Sequence, residues 1–220
     1  MSSTTENYLK RIYAETEALS SRLVPLGTLA SSLGVTPGTV TTMMKSLAEA
    51  GLVDYTPRLG VTLTDTGRNE ALQVVRRHRI VELFLVEVLG LDWSEVHEEA
   101  EVLEHAISDR LLSRIDELLG HPRVDPHGDP IPDSNGAVPE LTGVPLAQVT
   151  APARARVVRV DHDQTEFLVF VKERGMIPGA EIEVRSKSET GGTVTVAIDG
   201  RPTSLSLTVA ERIVCVPVEP

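Results

Sequence analysis

Within His97, Glu98, Glu99, Ala100, Glu101, Val102, Leu103, Glu104 and His105, two imidazoles and several carboxylates lie close together in sequence. At the helical rotation of about 100° per residue, His97, Glu101, Glu104 and His105 fall within an arc of about 100° on one face. Nitrogen and oxygen donors on one side of a helix form a bed for a divalent cation. Upstream, His78 and Glu82 are spaced i, i+4 and add a second pair. Three of the histidines thus sit at helical spacing to a carboxylate, which favours metal binding over a solvated acidic face. His97-Glu98-x-x-Glu101 also matches, in outline, metallohydrolases in which a helix supplies ligands and an adjacent Glu activates water. The crowding of Glu104 and His105 onto the same face speaks for an enclosed ion instead. No nucleophile elbow, phosphate loop or dinucleotide fingerprint is present, so the expectation is a protein that is not an enzyme.

The elements that must position these groups follow from periodicity. Tyr8, Leu9, Ile12 and Tyr13 mark a helix over about 4–17, with Thr4 or Thr5 as its N-cap. A short helix from Leu26 to Leu33 closes at Gly34, and Thr36-Pro37 opens another that runs through Val40, Met43, Met44 and Leu47 to Gly51. Two helices joined by a tight Gly-containing turn make a helix-turn-helix. Val53–Tyr55, a turn at 57–60 and Val61–Leu63 form a hairpin, the wing of a winged helix. Thr36, Thr39, Thr41, Thr42 and Lys45 are expected to face outward toward DNA, joined by Arg58 at the wing tip. Such hydroxyls lack bidentate discrimination, so specificity would be shared with DNA shape and dimer spacing.

Beyond the wing, a long helix over about 67–89 is capped by Asp65 or Thr66. A second follows Ser94 through the ligand face to about Leu103, and a third covers about 108–119. Residues 122–152 hold seven of the chain's fourteen prolines and read as a linker or irregular arm. The last seventy residues change to period two, with Asp199-Gly200 as a type I′ turn signal, and predict a small β-barrel. The reading is therefore mainly α with a C-terminal β-barrel. It comprises a winged helix-turn-helix over 1–64, a helical dimerisation and metal-binding segment over 65–140, and an SH3-like barrel over 141–220.

The composition is that of a folded globular chain, 220 residues with 41% hydrophobic and 24% charged. The longest apolar run, Ile80–Leu91, is interrupted by Glu82 and Glu87, and the polar start leads directly into a helix, so a cytoplasmic location and no membrane partner are expected. A net charge of −11 taken as a whole argues against nucleic acid, but its distribution reverses that. Residues 1–62 balance five basic against five acidic groups, whereas 63–140 carry seven against seventeen. The acidity is gathered where the cation site is expected, and the first segment remains free to meet phosphates. The single cysteine, Cys215, rules out an internal disulfide or a multi-cysteine site and reads as a small buried hydrophobe.

Several stretches together resemble the metal-dependent repressors of the diphtheria toxin repressor and manganese transport regulator type. They are Thr4-Thr5-Glu6-Asn7-Tyr8-Leu9, Arg77-His78-Arg79, the run Val96 to His105, Ser108-Asp109, His121-Pro122, and Asp125-Pro126-His127-Gly128-Asp129-Pro130-Ile131-Pro132. The resemblance spans nearly the whole chain and implies the three-domain type. It implies a primary regulatory site of Asn7, Glu101, Glu104 and His105, and an ancillary site of His78, Glu82 and His97 to which the third domain adds Asp161 and Gln164. Iron-responsive members place Cys at the position of Glu101 and Met at that of Asn7, so oxygen donors here favour Mn²⁺, with Fe²⁺ as the alternative. The resemblance further implies a homodimer that represses metal-uptake genes from a palindromic double-stranded operator.

Overall fold

The computed structural model describes residues 1–19, 23–161 and 164–218. The chain packs as two compact units, each discontinuous in sequence. The first contains Met1–His78, Leu103–Ser108 and Pro132–Val138, and the second Arg79–Val102, Asp109–Ile131 and Pro139–Pro220.

In the first unit, helices α1 (Ser3–Leu19), α2 (Leu26–Ser32) and α3 (Pro37–Glu49) precede an antiparallel hairpin, β1 (Val53–Thr56) and β2 (Gly60–Leu63). Ser2 rather than Thr4 or Thr5 caps α1, since its hydroxyl accepts from the Thr5 amide. The α2–α3 turn follows the sequence signals closely. Gly34 takes φ +64°, Thr36 Oγ1 accepts from the Thr39 amide, and Pro37 fills the first helical position. Leu9, Ile12, Leu29, Val40, Met44 and Val61 form the centre of the core. Val24 forms an isolated antiparallel bridge to Val61 beside the hairpin, so close that a Cβ on Gly60 would stand 2.6 Å from its carbonyl oxygen. This is a winged helix-turn-helix.

Helix α4 (Asp65–Glu87) starts in the first unit and continues into the second, capped by the Thr64 hydroxyl rather than by Asp65 or Thr66. Helices α5 (Val96–Leu103) and α6 (Asp109–Leu118) follow. Ser94 does not cap α5, because its hydroxyl donates to Asp92. The helix also ends before the ligand run does. Glu104 and His105 lie in a turn closed by the Ala106 and Ile107 amides, both donating to the Leu103 carbonyl. The expected four-residue helical face is therefore split.

The rest of the second unit is a six-stranded antiparallel sheet in the order β3-β8-β4-β5-β6-β7. Its strands are β3 (Val144–Pro145), β4 (Ala153–Val160), β5 (Glu181–Ser188), β6 (Thr193–Ile198), β7 (Arg201–Ser206) and β8 (Ile213–Pro217), with α7 (Thr165–Glu173) and α8 (Leu207–Glu211) inserted. Bulges at Val157/Arg159 and Val184/Ser186 bend the sheet, but β3 and β7 remain its edges, so the barrel is not closed by hydrogen bonds. Alternate residues Val194, Val196, Ile213 and Cys215 pack against Leu168 and Val171 of α7. Asp199 and Gly200 both take positive φ, as their hairpin turn requires.

The proline-rich stretch is not a loose linker. Residues 127–132 are all buried, because Asp125 Oδ1 accepts from the amides of His127 and Asp129 and folds the chain into a tight turn. The His127 carbonyl then accepts from the Val160 amide at the end of β4. At Gly128, φ is +90° and a Cβ would lie 1.9 Å from the Val158 carbonyl oxygen. Gly128→Ala must unseat this turn, with an expected loss of about 2–4 kcal/mol on combining close contact with an unfavourable φ. Thermal unfolding of purified protein checks it, and an unchanged melting temperature would contradict the docking described.

Candidate metal centre and DNA-reading face

In the first unit, three chain segments meet at one cluster. Helix α1 presents Glu6, Asn7 and Lys10 within one turn, α4 presents Arg77 and His78, and the turn after α5 presents Glu104 and His105. His105 Nδ1 lies 2.6 Å from Glu6 Oε2, and its Nε2 lies 2.7 Å from Asn7 Oδ1 and 3.4 Å from Glu104 Oε1. Arg77 braces Glu6 by donating to its other oxygen at 2.9 Å. The Glu104 side chain is fully buried. Its Oε2 accepts from Lys10 at 2.7 Å and lies 2.5 Å from His78 Nδ1, while its Oε1 is buried without a hydrogen-bond donor.

A buried carboxylate oxygen lacking a donor is costly. Here it stands beside His105 Nε2 and the Asn7 amide oxygen, a hard nitrogen and oxygen donor set that fits a divalent cation. Glu6, holding the Nδ1–H, would turn the other ring nitrogen toward such an ion.

The second cluster lies entirely in the second unit. Glu82, Asp125 and His127 are buried and offer ligand atoms all within 4.8 Å of one another. His127 Nε2 donates to the Trp93 carbonyl at 2.8 Å, which leaves Nδ1 as the ring nitrogen turned toward Glu82, 3.9 Å from its Oε2. The other Glu82 oxygen is 3.1 Å from His97 Nδ1. This donor set also fits a divalent ion.

The residues expected from sequence are thus distributed over both clusters. Asn7, Glu104 and His105 converge in the first, joined there by His78, and Glu82 and His97 pair in the second unit. Glu101 has its Oε1 3.6 Å from His97 Nε2, and both side chains are about two-fifths exposed. Asp161 and Gln164 are held by Arg212, whose Nε and Nη1 donate to them at 3.1 Å each. His162 and Asp163 between them lie outside the described residues. Sequence reasoning missed Glu6 and Arg77 as cluster members, and missed Asp125 and His127 as donors. The acid-x-His-Gly pattern within 125–128 was the available signal for the last two.

On α3, Thr36, Thr39, Thr42 and Lys45 are exposed and Thr41 is half-buried. The Thr41 and Thr42 hydroxyls donate to the carbonyls of Pro37 and Gly38, and Thr36 pairs with Thr39, so the outward features of this face are chiefly methyl groups and the Lys45 ammonium. Arg58 occupies the exposed wing turn at φ +67°.

Three family models match the chain in succession. They are an iron dependent repressor N-terminal DNA binding domain over residues 1–61, an iron dependent repressor metal binding and dimerisation domain over 64–133, and a FeoA domain over 144–217. The iron-dependent repressor IdeR of Mycobacterium tuberculosis is 31% identical over 210 residues, covering 90% of this chain and 89% of that protein. The diphtheria toxin repressor of Corynebacterium diphtheriae is 30% identical, covering 92% of each. Among solved structures, a manganese-dependent transcriptional repressor in complex with manganese superposes with a TM-score of 0.87 at 40% identity, covering 97% of this chain and all of that one. The manganese regulator SloR superposes with a TM-score of 0.77 at 31% identity, covering 97% and 98%.

The chain's one tryptophan reports on the second cluster, since the Trp93 and His127 rings are 5.2 Å apart. Titrated Mn²⁺ is expected to quench Trp93 emission, and Asp125→Asn or Glu82→Gln to weaken that response about tenfold or more. Asparagine keeps the turn-forming acceptor, so an unchanged titration would exclude Asp125 as a ligand rather than report misfolding.

Proposed function

From the premise that this chain belongs to the iron-dependent repressor family, and so is a metal-dependent, DNA-binding transcriptional repressor rather than an enzyme, we propose that manganese(II) is its co-repressor. The observation that carries this reading is the donor chemistry. Glu104 Oε1, His105 Nε2 and Asn7 Oδ1 in one cluster, and Glu82, Asp125 and His127 in the other, include no sulfur. Cys215 is buried on β8, where desolvation pushes its thiol up to about 12, so it supplies no thiolate at neutral pH. Hard oxygen donors with imidazole suit Mn²⁺. Fe²⁺ is the second reading, supported by the iron-dependent relatives. The metallohydrolase reading is set aside, since the family consists of regulators.

The ion would be held by Asn7, Glu104 and His105, with His78 beside Glu104, and a second by Glu82, Asp125 and His127, with His97 beside Glu82. Asn7 on α1 and Glu104 and His105 in the turn that leaves α5 would be tied together by the first ion. Residues 1–64 then read DNA, 65–140 dimerise and 141–220 form the accessory sheet domain, a division that the three successive family-model matches support. Exposed apolar side chains at Val88, Leu89, Val102, Leu111 and Leu118 support a homodimer through the helical segment. A two-fold dimer requires two recognition helices roughly one DNA turn apart, ~34 Å, and hence a palindromic operator. Ion binding selects the conformers that meet this spacing, and DNA must tighten ion binding by the same factor. No helix is long and apolar enough to cross a membrane among the described residues. A cytoplasmic repressor of metal-uptake genes is consistent with this.

His105→Ala is expected to abolish Mn²⁺-dependent operator retention in a gel-shift assay while leaving the dimer intact by sedimentation; metal-stimulated binding in that variant would overturn the site. Lys45→Ala is expected to weaken specific and non-specific DNA alike and to reduce the slope of log affinity against log salt by about one unit. A loss confined to the operator would show that Lys45 reads bases.

A further inference from the structure

Lys10 is the one cluster member that neither the donor chemistry nor the DNA-reading face uses, and it is placed where a cation would be. Its ammonium donates to Glu104 Oε2 at 2.7 Å and lies 3.0 Å from His78 Nδ1, beside a carboxylate with no solvent exposure. The two Glu104 oxygens therefore have different surroundings. Oε1 looks toward His105 and Asn7 without a donor, whereas Oε2 and His78 already hold a positive charge.

We propose that Lys10 is a built-in cation of this cluster, filling the Glu104–His78 corner so that the site takes one divalent ion and not two. The inference rests on the reading above, that the first cluster binds metal. A metal coordinated by Glu104 Oε2 and His78 Nδ1 would approach each to roughly 2.1 Å and compete with the ammonium for the same lone pairs. Charge argues the same way. Glu6 and Glu104 are already balanced by Arg77, at 2.9 Å from Glu6, and Lys10, at 2.7 Å from Glu104. One divalent ion enters a neutral cluster, and a second would add to an uncompensated positive charge at close range. Because Lys10 lies one helical turn beyond Glu6 on α1, it also holds α1 to the 104–105 turn before any ion arrives.

The test uses full-length protein carrying His127→Ala to silence the second cluster, with Mn²⁺ counted by equilibrium dialysis and examined by electron paramagnetic resonance. With Lys10 intact, one ion per chain with an isolated-ion spectrum is expected, and it is lost on His105→Ala. Lys10→Glu, which exchanges the ammonium for a ligand, is expected to bind two ions whose spectrum shows exchange coupling. Lys10→Met removes the repelling charge without adding a donor and is expected to bind the single ion about tenfold more tightly. This second variant decides the matter if the first does not fold. A single isolated ion in Lys10→Glu, a coupled pair with Lys10 intact, or unaltered affinity in Lys10→Met would each overturn the proposal. If His105→Ala leaves the ion count unchanged, the metal reading of the cluster falls and the proposal falls with it, an outcome distinct from a failure of Lys10 alone.

Discussion

The interaction on which the first unit depends is the fully buried carboxylate of Glu104, shared among α1, α4 and the turn after α5. Taking a carboxylate out of water is costly unless its charge is compensated, and removing one partner of a buried pair typically costs ~3–5 kcal/mol. Lys10 and His78 supply that compensation on one oxygen. The other oxygen is left facing an imidazole and an amide. A site built this way is half satisfied by the protein, and the remaining half has the donors that the proposed cation would need. In the proposed reading the regulatory logic runs through α1, which lies in the reading module and carries Glu6, Asn7 and Lys10.

The second cluster obeys the same constraint by another route. Here the backbone does the positioning: the Asp125 carboxylate closes a turn on two amides, and the His127 carbonyl takes the Val160 amide, while Gly128 allows contact with β4 that no side chain would permit. The Trp93 carbonyl then selects the tautomer of His127. Oxygen and nitrogen donors are thereby prepared without a cysteine, and the single thiol stays buried in the sheet core where it packs as a hydrophobe. The uneven charge along the chain is a consequence of the same division of labour. Residues 63–140 carry seventeen acidic groups against seven basic ones, whereas residues 1–62 balance five against five and so add no net repulsion toward a polyanion.

Much of the fold was legible because it rests on local rules. Gly34, Thr36-Pro37 and Gly51 mark the ends of the reading helices through φ preference and capping, and Asp199-Gly200 marks a turn that needs two positive φ values. These depend on near neighbours in the chain. The resemblance of the runs at 4–9, 96–105 and 121–132 supplied the family. Cap identity was less legible, since Ser2 and Thr64 compete with equally suitable neighbours and geometry at the helix end decides between them.

What the sequence by itself determined was a winged helix-turn-helix, a helical acidic middle, a β-rich end and a supply of His, Asp and Glu suited to a hard divalent cation. Only the tertiary structure decided which of these donors meet. Glu104 and His105 left the helical face predicted for them because α5 stops at Leu103, and residues 125–132 of the proline-rich stretch became a largely buried turn instead of a linker. Glu6, Lys10 and Arg77 joined the cluster over separations of 71 to 99 residues from their partners, apart from any local pattern. Periodicity reports which side of an element a residue occupies, but partnership across such distances is set by how burial and charge compensation are satisfied at once, and that is a property of the folded chain.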